Sequence, residues 1–105
     1  MLTVQEMSDR FEIQDLIVGY CYAVDSRDWD ALDQYFTADA VIDYSEMVGV
    51  SGSLAEIKQF LASSLTPILA FQHGVSTTRY NIDGDRAQTK TVCINPMTVS
   101  DGTNA

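Results

Sequence analysis

The first quarter of the chain carries one long apolar stripe at helical spacing, and that stripe ends among acids. From Thr3 to about Arg27 the apolar positions are Met7, Phe11, Leu16 and Ile17, Tyr20 and Cys21, then Val24. "TVQE" can form a capping box between Thr3 and Glu6. An amphipathic helix of that length has to lay its apolar face on a second layer of structure. The stripe then runs into Asp25, Asp28 and Asp30, clustered around the chain's only tryptophan, Trp29. Three acids at this place are either a solvated helix end, or one of them is aimed inward to do chemistry.

After a break near Ser26 to Asp28, "WDALDQYF" repeats the helical pattern briefly with Trp29, Leu32, Tyr35 and Phe36, and Asp28 can cap this short second helix. "AVIDYS" reads as a strand. "SLAEIKQFLASSL" reads as a third helix with a capping box from Ser53 to Glu56, stopped by Pro67. "LAFQHGVSTTRYNI" and "RAQTKTVCINPMTV" are β-rich runs joined by the hairpin signal "DGD". The order is helix, helix, strand, helix, strand, strand. It predicts the α+β class, because strands and helices do not alternate often enough for a doubly wound parallel sheet. The expected architecture is a curved, mainly antiparallel sheet with the three helices of the N-terminal half on its concave side, forming a cone.

At 105 residues and 46% hydrophobic content the chain reads as a single domain with a modest core. A net charge of -9 with only six Lys and Arg argues against a nucleic acid partner, since phosphates attract basic side chains. No apolar run reaches the roughly 18 residues of a membrane span. "MLTVQEMSDR" lacks the basic and apolar regions of a signal peptide, so the expected compartment is the cytoplasm. Cys21 and Cys93 show no metal or disulfide spacing and read as reduced, mostly buried thiols. No metal site is expected.

The only histidine, His73, shares one face of an extended segment with Phe71 and Val75. Alone it reads as a core imidazole satisfied by a backbone carbonyl. Asp25 changes that reading: it ends the buried stripe one turn after Cys21, whereas Asp28 and Asp30 lie beyond the break. A buried aspartate needs a partner, and an imidazole held by a carboxylate is a competent general base. In "VIDYS", Tyr44 shares a face with Ile42, where its phenol can polarise a carbonyl. Tyr20 lies near the same end of the pocket, a little under one and a half turns before Asp25.

"DRFEIQDLIVGYCYAVDSRDWDAL", "FTADAVIDYS", "GSLAEIKQFLA" and "FQHGVSTTRYNIDGDRA" together resemble the SnoaL-like, nuclear transport factor 2-like superfamily, near its scytalone dehydratase and bile acid 7α-dehydratase branch. The resemblance implies a catalytic set of Tyr20, Asp25, Tyr44 and His73, no cofactor, and a homodimer formed through the open sheet face. Trp29, Phe71, Cys93 and Asn95 are the candidates for contacting substrate. "TVCINPM" departs from the pattern where scytalone dehydratases place a second pocket histidine, leaving Cys93 and Asn95 as its polar groups. "TVSDGTNA" reads as the turn before two further strands, so the domain is expected to be C-terminally truncated. The expected activity is a cofactor-independent dehydratase acting on a small apolar hydroxy ketone. A ketosteroid-isomerase-like isomerase and a non-catalytic ligand-binding or dimerisation module are the alternatives.

Overall fold

The structure is a computed structural model and describes residues 1–100. Helix α1 spans Val4–Asp25, with the Thr3 hydroxyl accepting from the Glu6 backbone N–H. A 3-10 helix, Trp29–Gln34, follows, and the Asp28 carboxylate caps it by accepting from Ala31 N–H. Between them Arg27 takes a left-handed φ of 57°, which turns the chain sharply. Next come β1 (Val41–Tyr44), a single turn α2 (Ser45–Val48), β2 (Val50–Ser53) and α3 (Leu54–Ser64). The Ser53–Glu56 capping box forms on α3, and the two bonds to Ser53 hold the Glu56 carboxyl below its ordinary range. The second half is β3 (Ile68–Phe71), β4 (Gly74–Asp83), β5 (Arg86–Ile94) and β6 (Met97–Val99).

The strands pair antiparallel as β1 with β2, β3 with β6 and β4 with β5. β3–β6 and β4–β5 are one bent hairpin. Phe71 stands opposite Met97 and Gly74 opposite Ile94, the same register on either side of a short gap. Gln72 and His73 therefore face Pro96 and Asn95. The ladder cannot run through unbroken because Pro96 has no N–H to give. Nearer the tip, Thr77 and Thr78 oppose Thr91 alone, a β-bulge in which Thr77 sits at φ 56°.

The core is the junction of the helices with β1. Leu32, Ile57 and Val24 are essentially sealed, with Ala23, Ile42, Leu54 and Leu61 around them. Each large apolar side chain there contributes roughly 1.5–3 kcal/mol by leaving water. Gly19 admits the Tyr35 ring so closely that a Cβ would overlap it, which seats the 3-10 helix on α1.

Three expectations change. α2 and β2 were not foreseen, although Gly49 at φ 74° closes α2 in the usual left-handed cap. The strand run after Pro67 divides at Gln72–His73 because its two halves belong to different ladders. Thr98 and Val99 belong to strand β6 rather than a turn and Ser100 follows it, while residues 101–105 of the expected terminal turn lie outside the described residues.

Candidate active site

Asp25 closes α1 and His73 sits at the corner of the bent hairpin, 48 positions further on. His73 has left one ladder without entering the next, so its backbone N–H needs an acceptor. The Asp25 carboxylate supplies it, at 2.9 Å from Oδ2 and 3.1 Å from Oδ1. The same Oδ1 meets His73 Nδ1 at 2.6 Å. Both side chains are largely enclosed, 13% exposed for His73 and 20% for Asp25. A carboxylate can only accept in this pair, so Nδ1 carries the ring proton. In the neutral ring Nε2 then keeps its lone pair, and it faces the Asn95 amide nitrogen at 3.2 Å.

Two phenols stand beside this dyad. Tyr20, one helical face away from Asp25 on α1, and Tyr44, ending β1, bring their hydroxyls to 2.5 Å. Burial first, and then the bond to Tyr44, hold the Tyr20 phenol far above the ordinary range; burial raises Tyr44 as well. Both therefore stay protonated donors. With Tyr20 donating to Tyr44, the Tyr44 proton is free to point at a ligand oxygen, strengthened by the bond behind it. The Tyr20 ring meets His73 edge-on at 6.3 Å between centroids.

Tyr20, Tyr44, His73 and Asn95 open on one cavity of about 280 Å³, which Ser64 also lines. Its walls are apolar: Val24, Met47, Val48, Phe60, Leu65 and Ile68 among others. A small number of convergent polar groups in an apolar hollow is the usual form of a small-molecule site. Arg27 ties one wall to Phe71, the ring that meets His73 edge-on. Its guanidinium donates to the Leu65 and Ile68 carbonyls at 2.7 and 2.6 Å and lies 4.8 Å from the Phe71 ring centre.

The sequence reading therefore named residues that the fold brings together: Asp25, His73, Tyr20 and Tyr44 converge, and Asn95 joins them. The other candidates do not line the cavity. Trp29 opens the 3-10 helix and packs against the core. Phe71 touches His73 edge-on at 6.2 Å but is turned toward Arg27. Cys93 is exposed on β5, not buried as expected: among the described residues β5 pairs with β4 alone, and its other edge is open; Cys21 is buried. Arg27 and the α2 wall, Met47 and Val48, escaped the sequence reading. Gly49 after an acidic short run was the one signal for α2, whereas nothing local marks Arg27 as a clamp on carbonyls 38 and 41 residues away.

Helices wrapped on antiparallel ladders, with polar groups gathered at one apolar cavity, define an NTF2-like domain. The chain belongs to the SnoaL-like domain family, whose pattern matches residues 5–105. Uncharacterized proteins of Mycobacterium tuberculosis and Mycobacterium bovis are 43% identical over 97 residues, 92% of this chain. The chain spans 66% of the length of those curated relatives. Two crystal structures share the fold. The Kfla4162 protein from Kribbella flavida superposes with a TM-score of 0.81 at 22% identity, over 90% of this chain and 66% of that one. A candidate aromatic ring hydroxylase from Novosphingobium aromaticivorans gives 0.83 at 30% identity, over 91% and 69%. Among the described residues no helix is long and apolar enough to cross a membrane.

Proposed function

We propose that this domain is a cofactor-independent lyase that removes water from a small hydroxy ketone. The observation that carries the reading is the Asp25–His73 pair at 2.6 Å opening on the same apolar cavity as the Tyr20–Tyr44 pair. Substrate enters with its carbonyl oxygen at the Tyr44 hydroxyl. His73 Nε2 takes the proton from the carbon next to that carbonyl, and the C–H electron pair moves into the carbonyl as an enolate. Asp25 fixes the ring tautomer and stabilises the imidazolium that forms. The enolate collapses, the bond to the β-hydroxyl breaks, and the proton returns from Nε2 to the departing oxygen as water. The paired phenols act on the oxyanion, where a preorganised donor is worth most.

The walls suit an aromatic or fused-ring ketone, and the Novosphingobium neighbour, a candidate aromatic ring hydroxylase, agrees with a ring-shaped ligand. The same reading has the domain working as a cytoplasmic homodimer. An isomerase would use the same proton abstraction without loss of water; a binding module would use the cavity alone.

A mass-spectrometric screen of cyclic β-hydroxy ketones for loss of water tests this. Turnover on a hit should fall about 10²–10⁴-fold in His73→Ala, with binding little changed. Rates within threefold of the parent would sink the mechanism.

A further inference from the structure

Asn95 has a polar atom with nothing to do. Its Nδ2 donates to His73 Nε2, yet its Oδ1 exposes less than 1 Å² and has no hydrogen-bond partner. An enclosed carbonyl left without a donor costs on the order of a hydrogen bond, so its position asks for a reason. The surroundings offer few donors. The Asp25 carboxylate only accepts, the Tyr20–Tyr44 pair keeps one hydroxyl proton, aimed at a ligand oxygen, and Arg27 is spent on two carbonyls. Cys21 is buried on α1 and Cys93 is exposed beside Asn95 on β5, neither hydrogen-bonded to Asn95. Of the groups in hydrogen-bond contact with Asn95, the one that can become a donor to Oδ1 is His73 itself.

The chemistry of the pair fixes both states. While the ring is neutral, Nδ1–H is committed to Asp25, so Nε2 is an acceptor and only the amide N–H₂ can face it. Once Nε2 gains a proton, that same N–H₂ opposes an N–H, donor against donor. A half-turn about the Cβ–Cγ bond of Asn95 exchanges the two amide ends, which are nearly equal in size, and places Oδ1 on the new donor. Tertiary packing already holds the two residues opposite each other across the hairpin corner, so the backbone need not move.

We propose that Asn95 is a positioning residue that follows the proton: its amide nitrogen shields the neutral His73 base at rest, swings off as substrate arrives, and its oxygen then accepts from Nε2–H while the imidazolium persists. The inference rests on His73 acting as the base. The proton comes from the substrate carbon and returns to the leaving oxygen; Asn95 forms and breaks hydrogen bonds only. The amide thus makes one hydrogen bond to the ring in either state, from Nδ2 at rest and to Oδ1 when the ring is charged. The second has a charged donor and is the stronger, so the exchange favours the charged state and is useful to the reaction. Asn95 also sets a condition on ligands: a molecule that leaves the amide no acceptor must displace it at a loss.

The test needs no substrate, so a failed turnover screen leaves it standing. In the full chain labelled with ¹⁵N, His73 is the only imidazole, and the Asn95 amide is identified by the signal missing from Asn95→Asp, with backbone-linked assignment as a second route. The expected result has three parts. At high pH the ring shows the Nδ1–H tautomer, with a through-hydrogen-bond coupling between Asn95 Nδ2 and His73 Nε2. Across the histidine titration the Asn95 amide signals move with the same midpoint and that coupling disappears. In His73→Gln the amide signals cease to titrate. An Nε2–H tautomer at high pH, an Asn95 amide that ignores the titration, or a coupling that survives protonation would each overturn the proposal.

Discussion

Asp25 makes three hydrogen bonds to a single residue, two to the His73 backbone N–H and one to its ring. Its carboxylate is therefore both a cap for the hairpin corner and the partner of the imidazole proposed as the base. Asp25→Asn separates these roles. The amide oxygen can still accept the backbone N–H, so the corner should hold, with a stability loss of about 1–3 kcal/mol for the weakened bonds. Asparagine can also turn its N–H₂ toward the ring and so favour the wrong tautomer, and catalysis should fall much further than stability does. Tyr44→Phe should act differently, lowering kcat with little change in KM, because its donor gains strength only as charge develops on the oxyanion. Thermal unfolding beside steady-state kinetics on a screened substrate checks both variants. A Tyr44→Phe variant whose loss lies wholly in KM would remove the oxyanion role.

At the level of elements, the feature that aims the site is a strained residue far from it. Thr77 is β-branched at φ 56°, a conformation costing on the order of 1–3 kcal/mol, yet it supplies the extra residue of the bulge. At the hairpin tip Asp83 pairs with Arg86; carried unchanged toward the corner, that register would set Pro96 opposite His73. The bulge shifts it by one and brings Asn95 there instead. Thr77→Gly should therefore raise stability by about 1 kcal/mol with the site intact. Deleting Thr77 should abolish the Asn95–His73 contact and reduce turnover to the level of His73→Ala, as nuclear magnetic resonance and kinetics would show. Full activity in the deletion would mean that the bulge does not set the register. The same residue marks the limit of what the sequence discloses. Helical spacing and caps located α1, the 3-10 helix and α3, because those signals are local. Alternation placed Ile42 and Tyr44 on one face and Phe71, His73 and Val75 on another. The pairing of His73 with Asn95 depends on a left-handed threonine, which no propensity announces, and the clamp of Arg27 depends on carbonyls distant in sequence. α2 and β2 were hidden by length, since four residues each are too few to show a period.

The whole molecule is more open than its length requires. Its Cα radius of gyration is 15.9 Å and its long axis 56 Å, against about 13 Å for the radius of a compact chain of this size. The excess comes from a hairpin arm that meets α1 along only part of its length, and apolar side chains stay exposed on both. Phe11, Leu16 and Tyr22 on α1 and Val92 and Ile94 on β5 remain in solvent, although Phe11 and Leu16 belong to the helical stripe. Leu32 and Ile57 need nothing more than their own chain, whereas these residues need a second surface. The outer edge of β5 offers one, since among the described residues no strand pairs with it beyond β4. A second copy of the chain fits this need in kind, because the exposed strand and apolar face are present on both partners and can be satisfied by one twofold axis. The expected state is a dimer at micromolar concentration. Ile94→Lys should shift it toward monomer by placing a charge on the exposed strand, while circular dichroism stays unchanged because Ile94 lies outside the Leu32–Ile57 core. Sedimentation velocity decides between them. A parent chain that sediments as a stable monomer would mean that the exposed face is simply tolerated, and an Ile94→Lys dimer as tight as the parent would move the interface off the β5 edge.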